Sequence, residues 1–85
     1  MKSLLLVDDH KIVRSGLKTL LFNLNFDRID EADSGKMAYA LAQKNSYSLI
    51  IMDISMEGMS GLDALSKIIN RLPKQKILIL SMHDS

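Results

Sequence analysis

Residues 3–9 read Ser3-Leu4-Leu5-Leu6-Val7-Asp8-Asp9, and residues 49–53 read Leu49-Ile50-Ile51-Met52-Asp53. Each is a short, continuously apolar run closed by acid. Runs of this length without polar alternation suit strands buried on both faces, as in a parallel sheet covered by helices. The carboxyl ends of neighbouring parallel strands open onto one crevice, where ligands collect. If the two runs are neighbours, three carboxylates converge there, an arrangement that like-charge repulsion disfavours unless a cation joins it.

Helical periodicity fills the intervals. From Lys11 to Leu24, Ile12, Val13, Leu17, Leu20, Leu21 and Leu24 recur at helical spacing, with Asp9 placed as N-cap. Arg28–Ala32 is charged as an edge strand would be. Ser34 caps a second helix running to about Lys44, with Met37, Ala38, Leu41 and Ala42 inward. A loop with Gly58 and Gly61 follows Asp53. Ser60 then caps a third helix, with Asp63 favouring its N-terminal dipole and Leu62, Leu65, Ile68, Ile69 and Leu72 as the buried stripe. Pro73 stops it, and Ile77–Leu80 is the last apolar strand. Alternating strands and helices make an α/β protein. Right-handed crossovers with a reversal after the second strand give the order 2-1-3-4 and put the switch point between Asp8, Asp9 and Asp53.

Eighty-five residues make one domain, 1–85, or a portion of one. Eleven basic against ten acidic residues leave a net charge of +1, which gives no electrostatic case for nucleic acid or membrane. Cysteine is absent, so disulfides and thiolate metal sites are excluded. Lys2 before Leu4–Val7 imitates a signal peptide, but the apolar stretch is too short and runs into Asp8 and Asp9. No run reaches membrane-spanning length. The expected setting is cytoplasmic.

An oxygen-only ligand set suits a hard cation, and Mg²⁺ is the cellular default. Mg²⁺ keeps its waters and takes one or two carboxylates plus phosphate, so a phosphoryl group is the expected partner. Aspartate itself accepts phosphoryl groups as an acyl phosphate. Ser81, just past the fourth strand, offers a hydroxyl at the same rim. Taken singly, each feature has a plainer reading: Asp8-Asp9 as a turn and helix cap, Asp53 as a turn residue, and Ser81 as a surface serine. The conjunction at matching strand ends favours chemistry. A dehalogenase-type phosphohydrolase would want a second Asp at position 55, where Ser55 stands. A dinucleotide fold would want glycines after the first strand, and there are none. His10 and His83 flank the crevice without the third nitrogen or sulfur ligand that zinc requires. Met52, Met56, Met59 and Met82 are gap-filling residues, and Lys11, Arg14 and Lys18 form a basic strip that reads as a solvated face.

Three segments carry a resemblance: Leu5-Leu6-Val7-Asp8-Asp9-His10, the stretch Met52-Asp53-Ile54-Ser55-Met56-Glu57-Gly58-Met59-Ser60-Gly61, and Ile79-Leu80-Ser81-Met82-His83-Asp84. Together they resemble the receiver domain of two-component response regulators, a CheY-like, flavodoxin-like parallel sheet. Asp8-Asp9-His10 through Val13-Arg14-Ser15-Gly16-Leu17 is similar to the subfamily with a LuxR-type DNA-binding output domain. The resemblance implies that Asp53 is the phosphoacceptor for a histidine kinase. It also implies that Asp9 and Asp8 hold Mg²⁺ together with Asp53 and the Ser55 carbonyl, and that Ser81 is the switch hydroxyl. Ser55 and His83 match positions that tune acyl-phosphate hydrolysis, and the first helix matches the kinase-docking element.

The chain departs from that family pattern at three places. Glu57 stands where receivers carry proline, which frees a φ angle and adds a negative charge. Met82 is larger than the residue common after the switch hydroxyl. A complete receiver continues beyond this point with a helix, a fifth strand bearing a phosphate-contacting lysine, and a fifth helix, so the chain reads as the N-terminal portion of one. The expected consequences are an apolar fourth-strand edge open to pairing, including homodimerisation, and apolar surface bared beside the first helix. The expected function is a phosphoacceptor module, not an enzyme in its own right, that normally controls an output domain lying outside this chain. The alternative is an inactive interaction or dimerisation module.

Overall fold

Ser3–Val7 forms strand β1, every residue of it buried, and it pairs on both sides. The computed structural model describes residues 2–54 and 61–80. Along the chain, β1 is followed by helix α1 (Lys11–Leu20), a 3-10 turn (Phe22–Leu24), β2 (Arg28–Ala32) and α2 (Gly35–Lys44). Then come β3 (Leu49–Asp53), α3 (Gly61–Arg71) and β4 (Ile77–Leu80). All pairings are parallel and the spatial order is β2-β1-β3-β4, as the alternation and the winding reversal require.

Side chains alternate across the sheet and divide the core in two. One cluster holds Leu5, Val7, Ile50 and Met52 with Ala38 and Ala42 of α2 and Ala64 and Ile68 of α3. The other holds Leu4, Leu6 and Ile51, covered by Leu17 and Leu21, with Phe26, Ile29, Leu49 and Leu80 packed around them. Tyr47 closes the first cluster at the amino end of β3, and its hydroxyl donates to Asp30 Oδ2 at 2.6 Å. Burial and that bond push the Tyr47 phenol up to about 12. Burial also works to raise Asp30, but the bonds from Tyr47 and Arg28 prevail and hold it below the usual carboxylate range.

Several details differ from the sequence expectation. α1 ends at Leu20, and the chain then tightens into the 3-10 turn before Asn25 takes a left-handed φ of 58°. Asp9 does not cap α1. His10 occupies the N-cap position without a side-chain cap, while Asp8 Oδ1 accepts the His10 N–H. Ser34 does cap α2, accepting from the Met37 N–H. Ile12, Leu20 and Leu24 point outward, as do Met37, Leu62 and Ile69, while Ala38, Ala42 and Ile68 are buried as expected and Ala64 joins them. Periodicity marks a stripe, but the neighbouring element sets its width. α2 and α3, seated on alanines, lie close to the sheet, and larger residues at their stripe margins are left outside. Ser60 lies outside the described residues. Among the described residues, no helix is long and apolar enough to cross a membrane.

Candidate functional site

The register of β1 and β3 builds the site. Val7 stands opposite Met52, so Asp8 and Asp53, one step further on each strand, stand level with each other. They also share the face of Leu6 and Ile51, two residues earlier. Both are buried, at 1% exposure. Asp9 follows on the loop into α1, with its side chain 30% exposed. One ligand atom from each of Asp8, Asp9, His10 and Asp53 lies within 4.8 Å of the others. The three carboxylates expected to converge do so.

His10, expected only to flank the crevice, joins them. Its Nδ1 lies 2.9 Å from Asp8 Oδ1 and 2.8 Å from Asp9 Oδ1. The Asp8 hydrogen bond, and then the Asp9 charge, hold the imidazole above its ordinary pKa. Asp8 Oδ1 therefore has two partners on His10, the backbone N–H and the ring nitrogen. Asp8 Oδ2 is buried and has no hydrogen-bond partner among the described residues. A buried carboxylate oxygen without a donor is costly unless a cation serves it. A hard divalent ion in octahedral coordination fits this donor set of carboxylate oxygens open to solvent on the Asp9 side.

Two supports were not legible in the motif. Arg14 reaches back from α1, donating through Nε to Glu31 Oε1 at 2.9 Å and through its terminal nitrogen to the Asp8 carbonyl. The side chain is only 13% exposed, so this part of the basic strip is not a solvated face. Arg14, and then Lys18 at 3.2 Å, hold Glu31 below the usual carboxylate range against the opposing pull of its partial burial. The second support is Gly61. A Cβ there would lie 2.2 Å from Ile54 Cα and 2.7 Å from the Asp53 carbonyl oxygen. Only glycine lets α3 start against the backbone that carries Asp53. By sequence Gly61 is expected in the loop before α3, and nothing in its spacing marks this contact.

Ser55, Glu57, Ser81, Met82 and His83 lie outside the described residues. β4 leads toward the same rim, with Leu80 paired to Asp53. A surface cavity of about 640 Å³ opens at the amino ends of β3 and β4, lined by residues including Tyr47, Leu72, Pro73 and Gln75, at the opposite end of the strands from the carboxylates.

Comparison with known proteins agrees with this geometry. The response regulator receiver domain family matches residues 4–85. The oxygen regulatory protein NreC of Staphylococcus carnosus is 41% identical over 83 residues, covering 95% of this chain and 38% of NreC. The chain thus spans a little over a third of the length of the curated relatives it matches. The response regulator TrrA of Thermotoga maritima, solved in complex with Mg²⁺–BeF, superposes with a TM-score of 0.91 at 34% identity, covering 99% of this chain and 72% of TrrA. TrrA bound to the histidine kinase ThkA gives a TM-score of 0.88. A LuxR-family two-component response regulator from Aurantimonas is 30% identical with a TM-score of 0.85, covering 98% of this chain and 60% of that one. With its 2-1-3-4 sheet and its acidic crevice at the ends of β1 and β3, this chain belongs to the response regulator receiver domain family.

Proposed function

We propose that residues 1–85 act as a receiver unit that takes a phosphoryl group from a histidine kinase onto Asp53 with Mg²⁺ bound. The observation that carries this reading is the convergence of Asp8, Asp9 and Asp53 at one strand-end crevice, with a buried Asp8 oxygen lacking a donor. Asp8, Asp9 and Asp53, with the Ser55 carbonyl, are the residues that would hold the ion. When bound, Mg²⁺ neutralises charge on the phosphoryl oxygens and on the carboxylates facing them. An Asp53 carboxylate oxygen attacks phosphorus, the donor's P–N bond breaks, and the imidazole nitrogen leaves with the electron pair. β3 fixes Asp53 rigidly for in-line approach, and Asp9, at the exposed rim, lies on the solvent side from which a donor arrives. Ser81 is the proposed hydroxyl partner of the transferred group. The complexes of TrrA with Mg²⁺–BeF and with ThkA support the same partners here.

Incubation with acetyl phosphate and Mg²⁺ should add one phosphoryl mass that is absent in Asp53→Asn and when EDTA replaces Mg²⁺. Unchanged mass in the folded wild-type chain would overturn the reading. A cytoplasmic location, a role as acceptor instead of enzyme, and control of DNA binding through an output domain outside this chain belong to the same proposal.

A second reading has its own observation. β4 is uncharged, pairs on one side only among the described residues, and leaves Leu78 50% and Ile79 38% exposed. An apolar edge of this kind pairs with other strands, so self-association through β4 is the alternative function. Light scattering separates the two: a concentration-independent monomer excludes edge pairing and leaves phosphorylation untouched.

A further inference from the structure

We infer that Arg14 is the positioning residue of the acidic site, fixing the loop that carries Asp8 and Asp9 although it touches neither the ion nor the phosphoryl group. This rests on the metal-binding reading above. β1 ends at Val7 and β2 at Ala32, and the Asp8 N–H still donates to the Ala32 carbonyl at 3.0 Å. The Asp8 carbonyl lies beyond the last strand pair, at a turn where no ladder partner remains. A buried carbonyl needs a donor, and the Arg14 guanidinium supplies it.

The same guanidinium is held from the other side by Glu31 on β2, whose second oxygen takes Lys18. Glu31 lies opposite Leu6, on the face that α1 covers. The planar fork of arginine bonds two partners in fixed directions, which an ammonium does not reproduce. Arg14 thus ties β2, the first turns of α1 and the Asp8 peptide into one unit. Both backbone polar groups of Asp8 are engaged, and its side chain has one defined orientation into the crevice.

The sign of the effect discriminates positioning from simple charge. If Arg14 were only a nearby cation, removing it would tighten divalent ion binding by relieving repulsion. Positioning demands the opposite. Outer partners that orient metal ligands typically contribute about 10–100-fold in affinity, and the expected loss in Arg14→Met is on the order of tenfold.

The test uses the whole chain with Mn²⁺ as probe, free ion being read by electron paramagnetic resonance and folding by circular dichroism. Arg14→Met should weaken Mn²⁺ binding, Arg14→Lys should recover part of it, and Glu31→Gln should weaken it less. Lys11→Met, a charge loss on the same helix without a hydrogen bond to Asp8 or Glu31, should leave affinity unchanged or slightly tighter. Millimolar methylguanidinium should restore binding to Arg14→Ala, a rescue that a general loss of stability would not show. Affinity in Arg14→Met equal to or tighter than wild type overturns the inference. If that variant does not fold, wild-type affinity in both Arg14→Lys and Glu31→Gln overturns it. Failure of the underlying reading looks different: wild type and Asp9→Asn would then bind Mn²⁺ identically, with Arg14 intact.

Discussion

The two faces of the sheet are held by different physics. The face under α2 and α3 is sealed by small residues, with Ala38, Ala42, Ala64 and Gly61 letting the helices lie close and Ile68 filling the space between. Among the described residues the other face is covered by α1, which has no fully buried residue. That helix is anchored partly by Leu17 and partly by the polar bonds of Arg14 and Lys18 to Glu31 and of Arg14 to Asp8. Alternation along β1 and β3 places Asp8 and Asp53 on this second face, the one that α1 covers. A dry, alanine-packed interface would leave no entry for an ion or a phosphodonor. A helix held by charge leaves the crevice wet at its rim while keeping the strand ends fixed.

That contrast is broken most severely at Ile68. Ile68→Ala should cost about 2–5 kcal/mol, a large share of what a domain this small has to spare, and denaturant melts followed by circular dichroism will show it. A cost under about 1 kcal/mol would mean that the alanine face is not the principal core. Gly61→Ala comes next. Its Cβ must displace the backbone at Asp53 and Ile54, so about 1–3 kcal/mol of overpacking strain is expected, together with slower acetyl phosphate labelling of Asp53. Wild-type stability in this variant would show that α3 is free to withdraw from β3.

Acid should loosen the α1 face through Glu31. Glu31 has a depressed pKa in the fold, so its contribution is fully present above the unperturbed glutamate value of about 4.3 and is lost as pH falls through the lower folded value. Asp30 adds to the same acid limb from the other face through Tyr47 and Arg28. Glu31→Gln should therefore flatten the fall of melting temperature below about pH 4.3, and an unchanged slope would remove Glu31 from the anchor. At the alkaline end Tyr47, raised to about 12, contributes stability that is fully present below the ordinary tyrosine value of about 10 and is lost as pH rises from there through its folded value.

The smallest effect is expected at Ile12, which is 86% exposed. Ile12→Ala should change stability by no more than about 0.5 kcal/mol. A larger loss would mean that the outer side of α1 is covered in solution, and the same melts repeated across protein concentrations would reveal whether a second copy covers it.

How much of this was legible beforehand depends on the kind of feature. Continuous apolar runs identified β1 and β3, and the charged Arg28–Ala32 segment its edge strand, because burial on two faces or one leaves a direct imprint on residue type. The acidic triad was legible for the same reason: strand ends are marked by the residues that close them. Helix margins were less so. Leu62 and Ile69 keep the period of a buried stripe but stand outside it, since α2 and α3 seat on the sheet through their alanines, and Ile12 and Leu20 stand outside on α1, which buries no residue fully.

What the sequence determined by itself was the alternation of strands and helices, hence a parallel sheet with carboxylates at a switch point. These follow from period, turn chemistry and handedness, all of which are local. Tertiary structure alone decided that Arg14 serves the Asp8 carbonyl, that Glu31 tethers it, that His10 lies across two carboxylates, and that position 61 has no room for a Cβ. The Arg14–Glu31 pair joins segments far apart in sequence, and the others depend on how a turn folds back on near neighbours; neither kind of contact leaves a periodic mark on the residues that make it.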